Sequence, residues 1–216
     1  MARPLVLIPT DLERGLLAPR LREAEVWIEL CGFGIAAAAA RAAHLLAFHR
    51  PRRVILVGIA GRFTDRLPLG SAAVFDAVTC HGIGVGSGTE FVSAAALGWP
   101  HWPGEPAGSP TAVGDSIRCG SPANATVPRA ATLLTVAAAS ASMEEASLRR
   151  AAYPTAEAED MEGFAVALAC RLAAVPCAIV RGLANDAGDR DHARWHTATA
   201  LDAAAAVVRD LLAADR

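Results

Sequence analysis

Four short segments of this chain hold residue types that can do chemistry. Asp160-Met161-Glu162-Gly163 sets two carboxylates ahead of Phe164-Ala165-Val166-Ala167-Leu168, a run that is apolar nearly all round. A helix of that pattern is buried, and acids are favoured at its positive end whatever else they do. The pair is therefore either a plain helix start or the polar wall of a pocket. Arg181 to Asp191 follows the apolar strand pattern Cys177–Val180. It offers the amide of Asn185 and the carboxylates of Asp186, Asp189 and Asp191. At the end of a buried strand such a set is either a solvated loop or a binding site. Gly58-Ile59-Ala60-Gly61 closes the apolar run Val54–Val57, and small residues there let backbone N–H groups approach a ligand. Gly32-Phe33-Gly34-Ile35-Ala36-Ala37 fits a dinucleotide fingerprint. The acid expected after the next strand is missing, which favours a tight glycine turn packing helix on sheet.

Other chemistries lack their residues. Of the six histidines only His192 and His196 share a metal-like spacing, with no H-E-x-x-H and no cysteine pair, so surface helix positions are expected and no metal. Asp189 to Asp191 does not continue into a calcium loop, and no G-x-S-x-G marks a hydrolase serine. All 20 basic residues are arginine, which removes Schiff-base lysine chemistry and the lysine of a P-loop.

Composition bounds the rest. The 216 residues are 53% apolar and 19% charged, enough for one domain over 1–216 with a sizeable core. The formal charge of −2 is mixed along the chain, which argues against nucleic acid or an anionic membrane as partner. Cys31, Cys80, Cys119, Cys170 and Cys177 are widely spaced with no C-x-x-C; reduced structural thiols and a cytoplasmic location are expected. Leu5–Ile8 is too short for a signal segment or a membrane span.

The elements that must position these residues follow from pattern. Strands are expected at Leu5–Ile8, Glu25–Leu30, Val54–Val57, Ser71–Phe75, Leu133–Ala137 and Cys177–Val180. Helices are expected at Asp11–Leu21, Ile35–Phe48, Met143–Ala152, Met161–Leu172 and Thr197–Ala213. Residues 80–125, with a glycine-rich start and Pro100, Pro103, Pro106 and Pro110, read as loop or lid. The alternation argues an α/β domain with a parallel or mixed sheet.

Three segments taken together resemble the purine nucleoside phosphorylase and nucleosidase superfamily: Val57–Gly61, Glu159–Gly163 and Val180–Asn185, in that order. The Met161-Glu162-Gly163 segment followed downstream by Arg181-Gly182-Leu183-Ala184-Asn185 is the specific part. The likeness runs from Leu5 to about Leu212 and is poor over 82–125. Within the superfamily it is strongest to the futalosine hydrolases, through Phe164–Ala167, Gly188–Asp191 and Trp195. Methylthioadenosine/adenosylhomocysteine nucleosidases share the Met-Glu but end the last motif in Ser-Asp. The resemblance implies a three-layer α/β nucleoside phosphorylase-like fold, its central mixed sheet flanked by helices, and a homo-oligomer without cofactor.

It also implies roles. Glu162 matches the glutamate that holds the ribose 2′- and 3′-hydroxyls, and Met161 the methionine under the sugar. Ile59, Ala60 and Gly61 match the backbone beside sugar and base, and Asn185 the residue facing purine N7 and the 6-substituent. Glu13 matches the acid that activates water; a one-residue slip in the N-terminal register would put Arg14 there. An asparagine NH2 can donate to O6 and N7, where a carboxylate would repel them. That argues for a hypoxanthine-type base, as in futalosine. If Asp186 faces the base instead, an adenine-type substrate returns. Relatives stack the purine on an aromatic near Ala137–Ser142, where this chain has none; Phe33, Phe63 and Phe91 are the substitutes. The expected reaction is hydrolysis of a purine nucleoside. The rivals are a methylthioadenosine/adenosylhomocysteine nucleosidase, a purine nucleoside phosphorylase and a non-catalytic nucleoside-binding protein.

Overall fold

Alternation along the buried strands builds two cores, one on each face of a mixed sheet. In β1 (Leu5–Ile8), Leu5 and Leu7 join one core while Val6 and Ile8 join the other. In β3 (Val54–Arg62), Val54 and Leu56 oppose Ile55 and Val57 in the same way. The first core is closed by α2 (Gly34–His49) through Leu45 and Leu46, and by α4 (Gly163–Leu172) through Phe164 and Val166. The second is closed by α1 (Asp11–Leu17) through Leu17, and by α5 (Thr197–Ala214) through Leu201, Val208 and Leu211. Period two in the strands thus produces the expected helix–sheet–helix layering. The computed structural model describes residues 2–106, 108, 111–120 and 125–214. Pro110 of the proline-rich stretch lies outside the described residues.

The other strands are β2 (Trp27–Leu30), β4 (Ala72–His81), β7 (Ser116–Arg118), β8 (Arg129–Val136), β9 (Ala156–Asp160) and β10 (Cys177–Asp186). A two-stranded ribbon, β5 (Gly84–Val85) with β6 (Val92–Ser93), sits apart, and α3 (Met143–Ala152) precedes β9. The main sheet runs β10-β4-β8-β9-β3-β1-β2, and β10 also pairs with β3. Five strands therefore close into a ring. Its narrowest junction joins Gly61 to Glu159 and Arg62 to Ala158.

Several elements depart from the sequence pattern, each for a physical reason. The first helix stops at Leu17 and tightens into a 3-10 turn, Ala18–Leu21, because Pro19 has no N–H for the next helical bond. β3 continues through the Gly58–Gly61 segment, and β10 through Arg181–Asp186. Both segments are strand rather than turn or loop, since each has a partner strand along its length. β9 was not expected, because Glu157, Glu159 and Asp160 break its apolar pattern. All three acids are nonetheless buried, and hydrogen-bonded or ion-paired. Helix α4 begins at Gly163, so Met161 and Glu162 lead into it. β4 reaches His81, beyond the expected Phe75.

Candidate active site

Arg181 is the centre of the site. It is fully buried in β10, which a guanidinium tolerates only when its charge is paired. Its Nε donates to Asp160 Oδ2 at 3.1 Å, and its Nη2 to Asp160 Oδ2 at 2.5 Å and Glu162 Oε2 at 3.1 Å. Asp160 is held in turn by Thr135 Oγ1 at 2.6 Å and by the Gly163 N–H at 2.8 Å. Arg181 Nη1 is buried without a hydrogen-bond partner.

The register explains how this group fits. Arg181 lies opposite Gly58 on β3. A Cβ on Gly58 would collide with Arg181 Nη1 and stand 2.6 Å from Glu13 Oε1. Glycine is needed there because two charged side chains occupy the space a side chain would take. Glu13 arrives from α1, where it forms a capping box with Thr10. Its Oε2 accepts from the Thr10 N–H at 3.1 Å and from the Thr10 hydroxyl at 2.6 Å. Its Oε1 accepts from the Ile59 N–H at 2.9 Å. Helix capping and strand contact together fix a buried carboxylate beside Arg181.

Glu162 stands at the turn from β9 into α4. Its Oε1 accepts from the Gly34 N–H at 3.0 Å, while Oε2 faces Arg181. Gly34 has φ of +82°, so the turn opening α2 needs glycine. That turn points a backbone donor at the site, and this is the work of the Gly32-Phe33-Gly34 segment. Burial pushes the Glu162 carboxyl up to about 7, against the lowering pull of Arg181.

Glu13, Asp160 and Glu162 line a cavity of about 860 Å³, with Arg181 buried behind them. Its lining includes Glu13, Ile59, Ala60, Gly61, Met161, Glu162 and Asn185, so the structure brings together seven of the eight residues singled out by sequence. Asp186 is the exception. Its carboxylate is 2.6 Å from Arg62 Nε and does not line the cavity. Asn185 lines it, but its amide NH2 is not turned to a base. Nδ2 donates to the Asp186 carbonyl at 2.9 Å and the Asp189 carbonyl at 3.2 Å. Both partners are acceptors, so the amide nitrogen must face them. Asn185 Oδ1 has no partner among the described residues and remains as the acceptor.

Two loops frame the site. Glu159 takes bonds from the Ser140 N–H at 2.8 Å, the Ser140 hydroxyl at 2.7 Å and Arg149 Nη1 at 3.0 Å. This anchors the loop after β8, whose Ala139 lines the cavity. Gly188, with φ of +90°, packs against the backbone of Ser142 and Met143 and joins the two loops. Of the aromatic candidates, Phe33 and also Trp195 line the cavity. Phe63 packs instead with Tyr153 and Met161 against Leu134 and Val136, and Phe91 against His81.

Sequence reading gives Arg181 no role and weighs Asp160 only as one of two acids at a helix start or a pocket wall. The signal was present, since an arginine inside the apolar run Ile179–Ala184 implies a buried partner acid. His192 sits in a single 3-10 turn at the cavity mouth rather than on a helix. No cluster of three or more metal-ligating side chains occurs among the described residues. No described helix is long and apolar enough to cross a membrane.

Buried acids and an arginine thus meet where β3, β9 and β10 join in a mixed sheet closed on itself. The model of the phosphorylase superfamily matches residues 12–213, and the chain belongs to that superfamily. Among curated relatives, it is 34% identical over 150 residues to a futalosine hydrolase of Streptomyces coelicolor, covering 69% of this chain and 60% of that protein. The chain thus spans about 60% of the length of that relative. It is 52% identical over 58 residues to a futalosine hydrolase of Thermus thermophilus, covering 27% of this chain and 26% of that one. Solved structures share the fold. A 5′-methylthioadenosine/S-adenosylhomocysteine nucleosidase of Colwellia psychrerythraea, in complex with adenine, superposes with a TM-score of 0.77 at 20% identity, covering 99% of this chain and 95% of that one. The futalosine hydrolase of Helicobacter pylori does so with a TM-score of 0.77 at 14% identity, covering 99% and 98%.

Proposed function

We propose that the chain is a nucleosidase that hydrolyses the N-glycosidic bond of futalosine, releasing hypoxanthine and dehypoxanthine futalosine in the futalosine route of menaquinone biosynthesis. The observation that carries this reading is the convergence of Glu13 and Glu162 on the cavity beside Ile59–Gly61, with Glu162 held from behind by Arg181. The choice of futalosine is supported by similarity to the curated hydrolases. On this reading the protein is a cytoplasmic homo-oligomer that needs no metal or organic cofactor.

Cleavage of such a bond passes through a cationic, oxocarbenium-like sugar, by analogy with glycoside hydrolysis. Glu13, Asp160 and Glu162 oppose one guanidinium, so the ionised floor is net negative and stabilises that cation as it forms. Ionised Glu162 accepts hydrogen bonds from two ribose hydroxyls. Met161 packs under the sugar, and Ile59, Ala60 and Gly61 flank sugar and base. Glu13 takes a proton from the attacking water. Arg181, buried behind the cavity, holds Asp160 and Glu162 in place.

Asn185 acts through Oδ1. That oxygen accepts the N7–H of a departing base, a contact that exists only once N7 has taken a proton from solvent as the bond to the sugar breaks. It therefore favours the transition state over the bound substrate. The same acceptor suits the amino group of a 6-aminopurine, which favours a second reading as a methylthioadenosine/adenosylhomocysteine nucleosidase. Incubation without phosphate, with futalosine, inosine and methylthioadenosine in parallel, separates them by the base released. Hypoxanthine from futalosine is the expected result. Adenine from methylthioadenosine selects the second reading. Turnover only on adding phosphate would mean a phosphorylase. Nucleoside-induced thermal stabilisation without any turnover would mean a binding protein.

A further inference from the structure

We infer that Arg149 is a positioning residue for the base side of the cavity, acting through Glu159 and Glu145 on the backbone of the loop that joins β8 to α3. The inference rests on the nucleosidase reading for its ligand, a purine base at Asn185. The loop, Ala137-Ala138-Ala139-Ser140-Ala141, has little apolar burial to anchor it. Ala137, Ala138 and Ala141 are exposed, Ala139 is partly buried where it lines the cavity, and Ser140 alone of the five is buried. With no large side chain to grip a ring, contact between this loop and a base depends on where the backbone stands.

Polar groups supply the anchor. Glu159 accepts from the Ser140 N–H and hydroxyl, and Glu145 Oε2 accepts from the Ala141 N–H at 2.8 Å. Arg149 on α3 joins the two acids. Its Nη1 donates to Glu159 Oε2 and to the Ser140 hydroxyl, each at 3.0 Å, and its Nη2 donates to Glu145 Oε1 at 2.5 Å. Two successive loop amides are thus held by carboxylates that share one guanidinium, a span that suits a planar fork better than the single nitrogen of an ammonium. The position passes on in two directions. Glu159 pairs through its backbone with Gly61 of β3, which also lines the cavity. Ser142 packs on Gly188, where a Cβ would stand 2.3 Å from the Ser142 carbonyl. The next residue, Asp189, supplies the carbonyl that holds Asn185 Nδ2 at 3.2 Å. Moving the Ser140 backbone therefore disturbs Ala139 and the seat of Asn185 together.

Arg149→Met separates this role from a merely stabilising one. Calorimetry with hypoxanthine and with adenine reads the base side alone, and turnover of futalosine and methylthioadenosine reads KM and kcat. In the folded variant the Kd of whichever base the native protein binds should rise about tenfold, as loss of one charge-assisted hydrogen bond predicts, and KM should rise with it. The pH dependence of kcat/KM, which reports Glu162, should stay native. Arg149→Lys should recover part of the affinity, and Arg150→Met, an exposed neighbour on the same helix, should leave it native. Glu145→Ala, at a side chain 41% exposed, frees the Ala141 N–H and should weaken base binding in the same direction; it carries the test should Arg149→Met fail to fold. Native Kd and KM in these variants, even with a lower melting temperature, would overturn the inference, as would a native protein that binds neither base. Base binding that weakens as expected in a protein that releases no base from any nucleoside would uphold the role of Arg149 and remove the nucleosidase reading.

Discussion

At Glu162, burial and function pull in opposite directions. Holding two hydroxyls requires the carboxylate, but burial raises its pKa to about 7, so near neutrality a large fraction is protonated. The value of kcat/KM should therefore fall as pH drops through about 7, as a pH–rate profile would show. Stability should move the other way. Because the folded-state pKa is raised, the folded protein keeps a proton that the unfolded chain releases between the ordinary carboxyl value and about 7. Its contribution to stability declines as pH rises through that window. Glu162→Gln removes the titration. Its melting temperature relative to native protein should increase from about pH 6 to about pH 8, while turnover falls on the order of 100-fold. A variant with native turnover would remove Glu162 from the mechanism.

Elements set the distances between these groups. Helix α1 delivers Glu13 through its capping box with Thr10, so the acid that reaches back to the N-cap also stands beside Arg181. Gly58 in β3 leaves the space where both side chains meet. Gly58→Ala should displace one or both, lowering kcat by about 100-fold for a misplacement of this kind. Overpacking should cost about 1–3 kcal/mol in denaturant unfolding. Thr10→Ala tests the other end of the same linkage. It removes a cap worth about 1 kcal/mol and one hydrogen bond to Glu13. Activity should fall along with stability, whereas loss of the cap alone would leave kcat at the native value.

At the scale of the molecule, the closed ring of strands depends on the charges it encloses. Arg181 joins β10 to Asp160 at the end of β9 and to Glu162 before α4. Arg181→Met would leave two buried acids without their cation, a loss of about 3–5 kcal/mol. In a chain of this size the melting temperature should drop by about 10 °C. Retention of native stability would mean that the acids are neutral in the folded protein and the ring does not need the ion pairs.

The buried strands, the amphipathic helices and the layered α/β class were determined by the sequence alone, because period two and apolar runs fix which faces leave water. So were the candidate residues, since Met161-Glu162-Gly163 and Arg181–Asn185 stand out by type and order. Only the tertiary structure decided what these groups do to one another. Register across β3 and β10 put Arg181 opposite Gly58, and a residue as distant in the chain as Glu13 completes the group. Neither pairing leaves a periodic mark. The same holds for Asn185 and Asp186. Sequence shows an amide beside an acid, but hydrogen bonds to local carbonyls turn the amide nitrogen away and Arg62 removes the acid. Polar direction is set by partners in three dimensions, whereas apolar burial is set largely by pattern.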